Sequence, residues 1–150
     1  MRMSEVMTKG VQTVKPAMAA ADAWELMRRK EIHHLVVMEG ARIVGVLSDR
    51  DVGGRVGASL LAGRTVADLM SRHVVTRSPT DTVRSTANAM RGRTIGCLPI
   101  VDRGRLVGIV TVSDLLELLG RGIDRPAKAA RAPLHWRVPH RKRRGRTVAW

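Results

Sequence analysis

Gly45-Val46-Leu47-Ser48-Asp49-Arg50-Asp51 decides the fold, because the chain writes it twice. Its form, Gly-apolar-x-Ser/Thr-x-x-Asp, returns 63 residues later as Gly108-Ile109-Val110-Thr111-Val112-Ser113-Asp114. In each copy the apolar residues read as the end of a strand, and the hydroxyl and carboxylate as the start of a helix. A glycine there lets another group approach the strand end closely. A hydroxyl and a carboxylate three positions apart suit two jobs: capping the helix, or holding the hydroxyls of a sugar.

Working outward, the same offset aligns residues 7–51 with residues 70–114 without a gap. Met7 meets Met70, Thr13 meets Thr76, Pro16 meets Pro79, Met27 meets Met90, Ile32 meets Ile95 and Leu35 meets Leu98. Such self-similarity implies two structurally equivalent units. The first begins with a short extended stretch, residues 11–14, stopped by Pro16. A helix follows over 17–31, with Ala20, Ala23, Trp24 and Met27 on one face. Leu35-Val36-Val37-Met38 is a continuous apolar run, hence a buried strand. A turn at 39–42 joins it to a partner strand, 43–47, and Ser48 or Asp49 opens a second helix.

The second unit repeats the pattern. Thr80 or Asp81 caps its first helix, strands cover 98–101 and 106–111, and the last helix spans 113–119. Short helices at 3–7 and 66–70 lead into units one and two. Gly53, Gly54 and Gly57 weaken the last helix of unit one. The expected fold class is α+β: two β-α-β-β-α units, residues 1–62 and 63–120, and a basic extension, 121–150.

Composition sets the class. Hydrophobic residues make up 44%, with no Phe, no Tyr and only 3 Trp, so Val, Leu, Ile, Ala and Met must build the core. Such a core suits sheets covered by helices. This Arg- and Ala-rich usage resembles that of GC-rich bacterial coding sequences. The single Cys97 excludes an intrachain disulfide and a multi-cysteine metal site, and fits a reducing cytoplasm. No apolar run reaches the ~18 residues of a membrane span, and none follows Met1 as a signal peptide would require. The net charge is +14. Residues 121–150 hold ten basic residues against Asp124 alone, a net +9, so the basic character belongs mainly to the tail.

The ordered set of motifs resembles the tandem CBS-domain pair, or Bateman module, named after cystathionine β-synthase. The resemblance covers residues 3–120. It is carried by Val6-Met7-Thr8 and Leu69-Met70-Ser71, by Ile32-His33-His34-Leu35-Val36-Val37 and Ile95-Gly96-Cys97-Leu98-Pro99-Ile100-Val101, and by the two segments quoted first. Val36 stands where unit two has Pro99, the commoner residue in that family. The resemblance implies two units packed about a pseudo-twofold axis, a disc-like homodimer of such pairs, and clefts that bind AMP, ADP, ATP or S-adenosylmethionine. No catalytic domain is attached, so it implies a stand-alone cytoplasmic regulatory module acting on an unidentified partner protein, with no obligatory cofactor.

By that resemblance Asp51 and Asp114 hold ribose hydroxyls, and Ser48 and Thr111 lie near ribose or phosphate. Helix capping is the alternative for all four. Backbone groups at His33, His34, Gly96 and Cys97, and at Thr13, Val14, Thr76 and Arg77, would meet the adenine edge. Adjacent histidines on a strand point to opposite faces and do not chelate one metal together, so no metal site is expected. Cys97, among apolar residues, also reads as an inert thiol. Arg50 can reach a phosphate at the helix start or lie in solvent as a surface cation; Ser113 takes its place in unit two. No triad or dyad spacing marks an enzyme. Two rival functions stay open: a ligand-free dimeric scaffold, and a module tethered to nucleic acid through the cationic residues of 137–146.

Overall fold

The computed structural model describes residues 1–53 and 61–122. A 3-10 turn, Met3–Glu5, precedes β1 (Thr13–Val14), α1 (Ala20–Lys30), β2 (His34–Glu39) and β3 (Arg42–Ser48). Then come α2 (Val66–Leu69), α3 (Val83–Arg93), β4 (Cys97–Asp102), β5 (Arg105–Thr111) and α4 (Val112–Arg121). The fold is α+β, and each unit contains a long helix followed by an antiparallel pair of strands.

The apolar runs become the central strands. Leu35, Val36 and Val37 of β2 are fully buried, as are Leu98 and Ile100 of β4. Each pairs antiparallel with the strand that follows it. Both ladders slip at the same place, between Val37 and Met38 and between Ile100 and Val101. The repeat therefore extends to the irregularities of the backbone.

One difference has a plain cause. β1 pairs parallel with β2, and the Val36 N–H donates to the Gln12 carbonyl at 3.2 Å. Pro99 occupies the matching position in unit two and has no N–H to donate. Among the described residues the counterpart of β1 is reduced to one bridge, Arg77 to Ile100.

Both long helices end alike. Glu31 and Thr94 adopt φ of 54° and 53°, left-handed backbone on residues other than glycine. The next N–H reaches back, from Ile32 to the Met27 carbonyl at 3.0 Å and from Ile95 to the Met90 carbonyl at 3.1 Å. This closure turns the chain sharply into the central strand. The cap of α3 is Thr82, whose hydroxyl accepts from the Ser85 N–H at 3.1 Å. Asp81, one of the two expected caps, instead accepts from the Ser78 N–H in the turn before the helix.

The leader segments precede their own units in the chain, and each packs on the other unit. The Met3 and Ser4 N–H groups donate to Asp81 and Pro79 at 2.9 and 3.0 Å, and Thr8 exchanges a pair of hydrogen bonds with Ile109 of β5. Symmetrically, Val66 and Ala67 donate to Met18 and Pro16, and Ser71 exchanges a pair with Val46 of β3. Met3 is fully buried in the core of unit two, and Val66 in that of unit one. The crossing ties the units together.

Residues 49–53 form turns, and the rest of the expected last helix of unit one, with Gly54 and Gly57, lies outside the described residues. So does the expected basic segment, 137–146. Among the described residues no helix is long and apolar enough to cross a membrane.

Candidate functional site

The two repeated segments fold into matching corners at the strand ends, Thr111 opening α4 and Ser48 leading into the turns at 49–53. At the start of α4 the Thr111 N–H donates to Asp114 Oδ2 at 2.7 Å, the Thr111 hydroxyl donates to the same oxygen at 3.0 Å, and the Asp114 N–H donates back to the hydroxyl at 3.3 Å. This is a capping box, satisfying two orphan donors reciprocally. Ser48 and Asp51 form the same arrangement, with distances of 2.7 and 3.3 Å. Their burial differs. Asp114 is only 4% exposed, whereas Asp51 is exposed.

Gly45 and Gly108 permit a close approach, and what approaches is protein. A Cβ on Gly45 would lie 2.5 Å from Met70 Sδ and 3.0 Å from the Ser71 carbonyl oxygen. A Cβ on Gly108 would lie 2.6 Å from Met7 Sδ and 3.1 Å from the Thr8 carbonyl oxygen. The glycines are notches that seat the crossed leaders, and the leaders hold the corners in place.

Both corners face one continuous cleft of about 1200 Å³ between the units. From unit one it is lined by His33, His34, Ser48, Arg50 and Asp51. From unit two it is lined by Gly96, Thr111, Ser113 and Asp114. Thr13, Val14, Thr76, Arg77 and Cys97 do not line it. Val14 sits in the core of unit one, and Cys97 is buried.

Electrostatics distinguish the groups. His33 Nδ1 lies 3.0 Å from Asp49 Oδ2. Burial lowers the pKa of His34 below its ordinary value of 6.5, with Asp49 pulling the other way. Gly96 makes room for this ring: a Cβ there would lie 3.3 Å from His34 Nε2. Burial, aided by the negative charge of Asp51, pushes the Cys97 thiol up to about 12, which keeps it protonated and unreactive at neutral pH. Among the described residues no three His, Cys, Asp or Glu side chains converge to hold a metal ion.

Sequence reasoning gave no binding role to Glu31, Asp49, Arg91, Thr94 or Thr8, which also line the cleft. Glu31 and Thr94 arrive there because both helices end in left-handed backbone. Thr8 arrives because the leaders cross. Arg91 lies on a helix face that carries no motif.

Comparison with known proteins agrees with this architecture. A family model for the CBS domain matches residues 3–53 and 66–121. The chain is 34% identical over 114 residues to the CBS domain-containing protein YhcV of Bacillus subtilis, covering 75% of this chain and 81% of that one. It is 28% identical over 119 residues to homoserine O-acetyltransferase of Methanohalobium evestigatum, but spans only 24% of that enzyme. Among solved structures, the CBS-domain pair of MJ0100, in complex with 5′-methylthioadenosine and S-adenosylmethionine, superposes with a TM-score of 0.72 at 24% identity. That match covers 81% of this chain and 97% of the other.

Proposed function

The chain belongs to the CBS-domain family, with two copies in tandem, and on that premise we propose that it is a non-catalytic regulatory module binding adenosine-containing ligands in the cleft between its units. The observation that carries the reading is the convergence of both Ser/Thr-x-x-Asp corners on one cavity large enough for a nucleotide. Capping and ribose binding are compatible, since a carboxylate offers about four lone-pair sites and capping through Oδ2 takes part of that capacity. The MJ0100 pair, of the same fold, is a protein that holds such ligands. Ligand bridging the two corners favours one relative placement of the units, and that bias is what a partner protein reads.

Thermal unfolding with AMP, ADP, ATP and S-adenosylmethionine tests the reading. A ligand well above its Kd raises Tm. The double variant Asp51→Ala/Asp114→Ala lowers the baseline Tm and abolishes the ligand-dependent rise. No rise with any of the four in the unmodified protein contradicts the reading.

The second part of the reading is self-association. Val112, Leu116 and Leu119 are 42%, 61% and 61% exposed and fall on one side of α4. A second copy of this chain covers that stripe, and sedimentation of Leu116→Glu checks it by a shift to monomer. The nucleic-acid reading rests on residues outside the described ones, and no observation on the described residues favours it.

A further inference from the structure

Both corners face the cleft, but only one of the two matching long helices does. No residue of α1 lines it, whereas α3 contributes Ala87, Met90 and Arg91. These stand at i, i+3 and i+4 and so share one helix face. Leu115 of α4, the helix packed against α3, lines the cleft as well. On unit two the cleft therefore runs on into a largely apolar recess, and the matching flank of unit one has none.

The repeat shows what fills the matching place. Ala87 corresponds to Trp24, whose ring packs against the core of unit one and carries the Arg28 guanidinium 4.9 Å from its centroid. Arg28 corresponds to Arg91, and Met27 to Met90. Val52 is fully buried, while Leu115, its counterpart, is left half-buried. Unit two thus keeps the apolar floor and the cation of this arrangement and lacks the ring between them. A flat aromatic group suits such a slot: Met and Leu pack against it, and a guanidinium stacks over its face.

We infer that the recess on α3 receives the adenine ring, seated where Trp24 sits in unit one, on Met90 and Leu115 and under Arg91. This rests on the adenosine reading above and adds where the base goes. It also accounts for the lining of the cleft: Thr13, Val14, Thr76, Arg77 and Cys97, five of the eight positions expected at the adenine edge, do not reach it. Because Trp24 already fills the flank of α1, the chain holds one such ligand although its corners are two.

Calorimetric titration of the full chain with AMP, ADP, ATP and S-adenosylmethionine tests it, because all four carry the base. The unmodified protein binds one equivalent. Ala87→Trp fills the recess with the residue that the matching helix position already holds, so Tm is kept while affinity for every ligand that binds falls roughly tenfold or more. A second measurement decides the matter should that variant fail to fold. In the unmodified protein the methyl NMR signals of Ala87, Met90 and Leu115 shift under the ring current of AMP and stay in place with ribose 5-phosphate. Unchanged affinity in folded Ala87→Trp, two equivalents per chain, or AMP bound without those methyl shifts overturns the inference and spares the adenosine reading. Ala87→Trp that keeps its AMP affinity and sediments as a smaller species also overturns it, and gives the recess to a second copy of the chain. If none of the four binds, both fall.

Discussion

Gly45 and Gly108 do at residue scale what a repeat-wide alignment only hints at. Each leaves room for a carbonyl that has little freedom to move. The Ser71 backbone is held by Val46 at 2.9 and 3.0 Å, and the Thr8 backbone by Ile109 at 2.8 and 3.0 Å. A methionine sulfur can swing away from a new methyl group, but these paired carbonyls resist. Gly45→Ala is therefore expected to destabilise the protein by about 1–3 kcal/mol, as overpacking does, with urea denaturation as the measurement. A change near zero would mean that the leader is loosely seated. The sequence made the need for glycine legible; it did not reveal that the approaching group is the protein's own chain.

His34 gives a second test at the same scale. It faces Asp49, His33, Asp51 and Asp114; burial, joined by His33, outweighs the three carboxylates and lowers its pKa below 6.5. The unfolded chain then binds the proton first as pH falls. The stability that the neutral ring contributes is complete above pH 6.5 and is lost as pH falls below that value. Stability measured between neutral and mildly acidic pH should fall less steeply in His34→Gln than in the unmodified protein. Equal slopes would remove His34 as the cause.

At the scale of elements, the repeat was readable because a buried strand, its turn and its partner each leave a local pattern. Leu35-Val36-Val37 and Leu98-Pro99-Ile100 announced β2 and β4. The truncation of the β1 counterpart was also present in the sequence, in the missing N–H of Pro99, but it needs the partner strand to be seen. The crossing of the leaders was not legible at all. In a gapless repeat, a leader packed on its own unit and one packed on the other satisfy the same apolar pattern. The crossing makes a directional prediction. Met3 is fully buried in unit two, so Met3→Ala is expected to cost about 2–5 kcal/mol. Hydrogen exchange should show protection falling first in β4, β5 and α3. Loss first in β2 and β3 would place the leader on unit one.

At the scale of the whole molecule, the crossed leaders and the shared cleft make the pair of units the functional object. Nine of the fourteen residues singled out from the sequence line one cavity, and the remaining five do not. The nine sit just before or at the starts of β2 and β4 and at the corners that follow β3 and β5, where motif and geometry coincide. The five include Val14, in the core of unit one, and the buried Cys97, which packing claims. Arg91, which also lines the cavity, escaped because it lies on a helix face that carries no motif.

The most direct measurement of the central claim is an amide NMR titration of the full chain with AMP. The account predicts shifts clustered at His33–His34, Asp49–Asp51, Gly96 and Thr111–Asp114, from both units at once, and saturating together. No shifts at millimolar AMP, or shifts confined to one unit or lying away from the cleft, would contradict it.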